Sequence, residues 1–485
     1  MKNIIVTFII LISTMILFSD WSFDQRVFNG DGSEYFGHSV SISGDFAIVG
    51  SFSNEAYLYQ KINDQWSEEQ IIQPPDSTMY FGASVFINGD YMIIGDNQEY
   101  CNSSGSAVIY YYDEENWIEM DIISASSSPI CDQYACSVGI SPSGDYVIVG
   151  AANDDENAES AGAAYLYQRT DSQWTLQSKM MAYDGASSDW FGYSTYITDT
   201  FLFISAPLDD DNGNESGSIY VYENNGTDWV FHSKLTASHI ASSDQFGYSI
   251  SVSDNTLIAG TRCFDQGEAY IFNFDGSNWT EEAILTASDG FDYDHFGCSV
   301  SISGDFVVVG ACDVPDVAMS ASAYFYNRQD TEWVEQNKLI NENWGGFGSA
   351  VSISGTNAII GSEYDYSIED YIGAAYLISY IDTSIDPELI TSPDCNMVNN
   401  FPNPFNPSTT ISFSLQNDAS IELLIYNLKG QKIKTLNSGN YLKGTHSILW
   451  NGKNNSDNPV SSGIYLYKLE VNGKTEARNK CLLLK

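Results

Sequence analysis

Phe36-Gly-His-Ser-Val-Ser-Ile-Ser-Gly-Asp-Phe-Ala-Ile-Val-Gly50 is written, with variations, seven times in this chain of 485 residues. The copies open at Phe36, Phe81, Tyr134, Phe191, Phe246, Phe296 and Phe347, at intervals of about 45 to 57 residues. Within one copy, Phe36, His38, Val40 and Ile42 alternate with small or polar residues, the period of a strand with two unlike faces. Ser43-Gly44-Asp45 is turn chemistry. Phe46 to Gly50 is an unbroken apolar run, as a strand covered on both faces requires. Ala56 to Tyr59 is a third run, and Trp66 opens a fourth, more polar one. Four strand-like runs at this period predict a β-propeller, whose blades are four-stranded sheets stacked face to face.

The same grammar places fourth strands at Trp117, Trp174, Trp229, Trp279 and Trp333. Tyr165, Tyr220, Tyr270, Tyr324 and Tyr376 mark third strands. Large aromatics at fixed positions are inter-blade core, not ligand platforms. The seventh copy runs out at Ile381 without a fourth strand. Its counterpart stands at the other end, where Trp21-Ser-Phe-Asp-Gln-Arg-Val-Phe28 reads like Trp229-Val-Phe-His-Ser-Lys-Leu-Thr236. The N-terminal strand is therefore expected to complete the last blade and close the ring, which removes an exposed edge.

Charge divides the chain. The formal net charge is −45, yet residues 399–485 hold ten Lys/Arg against five Asp/Glu, so the remainder stands near −50. An acidic propeller of this kind repels nucleic-acid phosphates and anionic membranes. Lys2 followed by the apolar run Ile4 to Phe18 reads as a secretory signal peptide over residues 1–19, too short to span a bilayer. No other segment reads as membrane-spanning. The domain organisation expected is a signal peptide (1–19), a seven-bladed propeller (20–381), a linker (382–399) and a small second domain (400–485). Export permits disulfides among the eight cysteines. Cys101 with Cys131, and Cys263 with Cys312, are the pairs that loop adjacency suggests.

The recurring FG-x-S-V-S-I-S-G-D-(F/Y) pattern resembles the FG-GAP repeat of integrin α-chain propellers, over about residues 20–381. The resemblance implies a seven-bladed ring that serves in adhesion or ligand binding. Members of that family often carry a calcium loop between the first two strands of a blade. Here that hairpin is only Ser43-Gly44-Asp45, Asn88-Gly89-Asp90, Ser143-Gly144-Asp145 or Ser303-Gly304-Asp305. One carboxylate in a tight turn cannot supply the six to eight oxygens calcium takes. The acidic residues lie instead in loops between second and third strands and between blades, which emerge on one face. That face reads first as a solvated loop surface, and no cofactor is firmly implied. The alternative is a looser cation site, with Asp209, Asp210, Asp211 and Asn212 the candidate ligands and Ca2+ the candidate ion.

After Asn400, the segment Phe401-Pro-Asn-Pro-Phe-Asn-Pro407 introduces a second all-β unit. Strands are expected at 409–415, 421–426, 431–436, 446–450 and 464–471, which suits a small Ig-like sandwich. Pro402, Asn403 and Pro404, the turn ending at Gly430, the Ser462-Gly463-Ile464-Tyr465 strand and the basic-apolar end resemble the C-terminal sorting domain of type IX secretion. Trp450 through Tyr465 also resembles the Ig-like domain of flagellar hook-capping proteins. The sorting resemblance implies export through the outer membrane by the type IX machinery, then release or surface attachment.

None of the five histidines lies in a recognised metal-site motif, and there is no nucleophile elbow or phosphate loop. His295 beside Asp294 sits where other copies carry Gln245, Trp190 or Tyr35, the mark of a variable loop position. The function expected is therefore a non-enzymatic, monomeric, secreted or cell-surface propeller that binds an extracellular protein or glycan. A secreted carboxylate- and cation-dependent hydrolase or lyase, and a structural matrix protein, are the alternatives.

Overall fold

The computed structural model describes residues 20–28, 35–51, 54–62, 65–74, 80–97, 105–125, 132–171, 173–263, 265–312, 321–341, 345–364, 373–381, 395–401, 405, 407–415, 417–427, 432–461, 463–471 and 474–483. It divides into two compact units, with the boundary at residues 383–384. All regular structure among the described residues is strand. No helix there is long and apolar enough to cross a membrane.

The first unit holds seven four-stranded antiparallel sheets among the described residues, the blades of a β-propeller. Blade 4 shows the plan: inner strand Thr195–Ile197, second strand Phe201–Ala206, third strand Ser218–Asn224 and outer strand Trp229–Leu235. Second strands are buried beyond their first residue because both their faces meet a neighbouring blade, and Phe201–Ala206 is wholly buried. Outer strands alternate or face water, as in Gln65–Ile72. Blade 7 consists of Phe347–Ser354, Asn357–Ser362, Ala374–Ile381 and, beside the last of these, the N-terminal strand Asp20–Val27. Trp21 is 1% exposed. It stacks on Phe325 of blade 6 at 4.6 Å and meets Phe306 edge-on. The same edge-on contact joins Trp117 to Phe46 and Trp279 to Phe201 at other seams.

All seven outer strands skip one residue against the third strand, three positions after the tryptophan. In blade 4 the skipped residue is His232, in blade 7 Asp24. Such a bulge twists the strand and resets its facing. One consequence is that the fifth residue after the tryptophan stands opposite a third-strand tyrosine in six blades, and opposite Val108 in blade 2.

The fixed letters of the repeat build the seams between blades. Tyr35 C=O accepts from His38 N–H at 3.1 Å around Phe36-Gly37, with Gly37 at φ 89°. That is a type II turn, which needs a left-handed third residue. A Cβ on Gly37 would also lie 2.2 Å from Ala374 O. The glycine ending the second strand meets the turn glycine of the next blade: a Cβ on Gly361 would lie 2.0 Å from Gly37 O. The serines close the axis. An inner strand is a sheet edge, so half its N–H groups lack a strand partner. Serine hydroxyls of the preceding blade accept them: Ile87 N–H bonds Ser41 Oγ, Ile302 bonds Ser251, Ile353 bonds Ser301, and Ile42 bonds Ser352 across the closure.

The second unit packs a three-stranded sheet (Cys395–Phe401, Thr409–Leu415, Gly444–Trp450) with a four-stranded one (Lys432–Tyr441, Ala419–Asn427, Gly463–Val471, Lys474–Leu483). Trp450, Tyr467, Leu423 and Ile425 are among its buried core residues. Two strands lie outside the sequence reading. Cys395–Phe401 falls in the stretch expected to be linker, and its ladder with Thr409–Leu415 absorbs it into the sheet. Lys474–Leu483 pairs with Gly463–Val471 although its charged residues hide the alternation.

Candidate functional site

Connections between blades and loops between second and third strands share one face of the ring. Trp190 N–H bonds Ser160 O, and Gln245 N–H bonds Glu215 O, each tying an inter-blade connection to a loop of the preceding blade. The four candidate cation ligands lie there, but only Asp209 and Asp211 converge, and the group they share is an ammonium of the chain. Asp209 is 3% exposed and points inward, accepting from the Asp211 amide and Ser218 Oγ. Asp210 Oδ1 accepts from Glu215 N–H at 2.7 Å, which shapes the loop. Asn212 contributes its amide to Ser216 Oγ. Among the described residues no three His, Cys, Asp or Glu are grouped so as to hold a metal ion.

What stands among these carboxylates is an ammonium from the blade's own outer strand. Lys234 is opposite Tyr220 in register. Its Nζ lies 3.0 Å from Asp184, 2.8 Å from Asp209 and 2.5 Å from Asp211, and 4.8 Å from the Tyr220 ring centroid. Tyr220 Oη lies 2.7 Å from Asp184 and 2.9 Å from Asp209. Burial alone would raise Asp184, yet the bonds from Tyr220 and Lys234 hold its carboxyl below the usual range. Burial likewise opposes the charge on Lys234, and the carboxylates, Asp209 first, raise its pKa despite it.

The device recurs. In blade 3, Lys179 faces Tyr165 and pairs with Asp154 at 2.7 Å and Glu156 at 2.6 Å. In blade 6, Lys338 faces Tyr324 and pairs with Asp289 at 3.1 Å. In blades 1 and 5 the register partner is Ile71 or Ile284, and the tyrosine donates instead to a glutamate two residues before it, Tyr57 to Glu55 and Tyr270 to Glu268. Sequence reading missed the lysines because charge was sought along each loop. The available signal was a basic residue five positions after the tryptophan.

The last letter of the repeated turn, which varies from copy to copy, surrounds the axis. His38, Ala83, Cys136, Tyr193, Tyr248, Cys298 and Ser349 all line an axial cavity of about 430 Å3. Trp190 stacks on Tyr193, Tyr193 meets Tyr248 at 4.9 Å, and Arg262 lies over Tyr248 at 4.9 Å. His38 bonds Glu363 at 2.7 Å. Deeper in, the middle serine of the repeat is replaced by Phe86, Gly139 and Tyr196 in blades 2 to 4. Phe86 and Tyr196 meet edge to face at 5.5 Å. Both rings also line a second cavity of about 180 Å3, so they mark the narrowing between the two. Burial pushes the Tyr196 hydroxyl up to about 12, so it remains a neutral donor.

The cysteine pairing needs correction. Cys312 is bonded to Cys298, with Cα atoms 6.3 Å apart, and not to Cys263, whose thiol is free and buried. Cys298 and Cys312 sit on or beside adjacent strands of one ladder, which outweighs loop adjacency. Cys101 and Cys131 lie outside the described residues. His295 is 5% exposed, and burial lowers its pKa. Of the sorting-motif positions, Pro402, Asn403, Pro404 and Gly430 lie outside the described residues. Gly463 opens a strand, and Tyr465 is core, donating to Ser461 O at 2.8 Å and packing edge-on against Trp450.

Five segments match the FG-GAP repeat family: residues 21–61, 117–167, 174–222, 229–272 and 279–326. Residues 400–476 match the FlgD Ig-like domain. Each FG-GAP match begins at an outer-strand tryptophan and ends in the third strand of the next blade, so one sequence repeat staples two blades. No curated protein matches the sequence. Among solved structures, "Structure of U3-55K" aligns with TM-score 0.49 at 8% identity, covering 73% of this chain and 97% of that one. "Crystal structure of RRP9 WD40 repeats" aligns with TM-score 0.48 at 8% identity, covering 74% and 97%. Likeness at this level carries nothing about function.

Proposed function

On a β-propeller of FG-GAP repeats followed by an Ig-like domain, we propose a secreted or outer-cell-surface binding protein. It is non-enzymatic, acts as a monomer, and holds an extracellular protein or glycan on the loop face of its propeller. The observation that carries this reading is the division of labour within the repeat. Fixed letters are spent on turns, seams and core, while the variable letter gathers around the axial cavity beside the acidic loops. A large cavity with a few converging polar groups is the default ligand site of such a scaffold. The acidic surface favours basic or neutral ligands over nucleic acid. The apolar run from Ile4 to Phe18 and the Pro402-Asn403-Pro404 entry support export, the latter through the type IX machinery. Calcium is not required in this reading, since a lysine already stands among the loop carboxylates of blades 3 and 4.

The test is saturable binding of the purified chain to immobilised glycans and matrix proteins, with and without calcium. Binding that is lost on Tyr193→Ala with Tyr248→Ala is the expected result. Absence of binding, with glycosidase or esterase turnover abolished by Asp209→Asn and Asp211→Asn, would instead assign a carboxylate-dependent hydrolase. Absence of both would leave a structural matrix component. Mass spectrometry of the exported product checks trimming before Trp21 and removal of residues 400–485.

A further inference from the structure

All seven blades line the axial cavity, and each brings at least one serine to it. The chain holds 64 Asp and Glu. None of them, and no Lys or Arg, is among the described residues around this volume of about 430 Å3. Glu363 and Arg262 touch its wall, and both are already engaged, Glu363 with His38 and Arg262 with the Tyr248 hydroxyl. The polar part of the lining is thus hydroxyl and amide, and Phe86, Tyr193, Tyr196 and Tyr248 supply its aromatic part. We propose that this cavity holds the uncharged terminal sugar of a glycan, entering end-on. The proposal rests on the axial cavity being the ligand site, and it selects glycan over protein there.

Two independent observations point to a sugar. The first is unused hydrogen-bonding capacity of both kinds on the wall. Ser349 Oγ and Asn97 Oδ1 are buried with no hydrogen-bond partner among the described residues. A buried acceptor left so costs free energy until something donates to it. Ser249, Ser299 and Ser301 each accept an amide N–H of the next blade. A hydroxyl that accepts still has its own proton to give. A ligand hydroxyl donates and accepts, so it serves both kinds of group at once. An anion would use only the donors and a cation only the acceptors. The second observation is shape. Tyr193 and Tyr248 give the wall apolar surface with a polar tip, which suits a ring that is C–H on its face and hydroxyl on its rim. Phe86 and Tyr196, 5.5 Å apart, narrow the inner end, so a chain enters by its end and does not thread through. The volume lies near the lower bound of small-ligand sites, about 300–1,000 Å3. A protein would enter with a side chain instead. A charged one would find no counter-charge on this wall, and an apolar one would leave Ser349 and Asn97 unpaired.

The experiment is calorimetric titration of the full chain with the methyl glycosides of glucose, galactose, mannose, fucose and N-acetylglucosamine, and with those of glucuronic acid and glucosamine as charged counterparts. At least one neutral glycoside should bind with Kd of the order of 1 mM. The charged counterparts should bind at least about tenfold more weakly, because the wall pairs with neither charge. Ser349→Ala and Asn97→Leu should each weaken the neutral sugar by about threefold or more. In Ser349→Ala the melting temperature should hold or rise, since the hydroxyl removed has no partner in the fold, and this shows that the loss is not unfolding. Equal affinity for a charged counterpart would overturn the proposal, as would parental sugar affinity in both variants. Failure of every glycoside, with protein binding that is still lost on Tyr193→Ala with Tyr248→Ala, would overturn the sugar and leave the broader function standing. Absence of sugar and protein binding alike would overturn both.

Discussion

Blades 4 and 5 are neighbours with the same strands, the same bulge and the same buried tyrosine, yet their acidic loops are in opposite electrostatic states. In blade 4 Lys234 closes the cluster from inside, with its side chain 10% exposed and Asp209 at 4%. In blade 5 Ile284 turns the equivalent position apolar, and burial with Glu268 and Asp265 nearby raises the Asp244 carboxyl. Acidity on a propeller face thus arises in two settings. In blade 4 a lysine of the same chain stands among the carboxylates, and in blade 5 the equivalent register holds an isoleucine.

The largest test of that difference is to remove the counter-ion. Lys234→Met strands buried Asp209 and should cost about 3–5 kcal/mol. Ile284→Met is volume-conserving and should cost less than about 1.5 kcal/mol. Denaturant midpoints at constant m-value give both numbers, and equal losses would erase the distinction between the blades. Next, Asp209→Asn added to Lys234→Met should recover part of the loss, with a coupling of about 1–3 kcal/mol in the double-mutant cycle. A coupling near zero would mean that Lys234 acts by packing alone.

A smaller effect separates the two roles of carboxylates within blade 4. Burial above all pushes Asp189 up to about 6; the Ala186 amide opposes this, and Asp209 adds to it. Because the folded value is raised, the stability it contributes is complete below the unfolded value near 4 and is lost as pH rises through 6. Asp189→Asn keeps an acceptor for the Ala186 amide and cannot ionise. Its unfolding free energy should match the parent's at pH 4 and exceed it at pH 7.5, by about 1 kcal/mol after allowance for solvent screening. The smallest expected change is with salt. The Lys234–Asp209 pair is buried, so the cost of Lys234→Met should vary by less than about 0.5 kcal/mol between 0.05 and 0.5 M NaCl. A steep dependence would place that cluster in solvent.

Reading the chain alone reaches the ring and stops at what long-range pairing decides. The repeat starting at Phe36 is local, and its serines, glycines and aromatics report their places by recurrence. The counter-ion of Asp209 is 25 residues away on a different strand, so no window along the loop contains it. The bulge that brings Lys234 opposite Tyr220 has no residue signature of its own, since the skipped position is Glu69, Met120, Gln177 or His232 in successive blades. The Cys298–Cys312 bond follows from ladder geometry, which loop spacing cannot express. The variable letter at His38, Tyr193 and Tyr248 was visible as variation, but only the closed ring shows that these positions face one cavity.

Closure by Asp20–Val27 also fixes an order in time. Asp24 bonds Ser379, 355 residues further along the chain. The first strand to be synthesised therefore waits for the last of the propeller's third strands. Until then six blades stand complete beside a three-stranded sheet whose Ala374–Ile381 edge is open. Late, long-range pairing of this sort is slow. An open edge accepts whichever equivalent strand arrives first, and at high concentration that strand belongs to another molecule. Reciprocal exchange of Asp20–Val27 would then give swapped dimers. Raising the concentration at which the chain is refolded therefore shifts the balance from closed monomer toward swapped dimer.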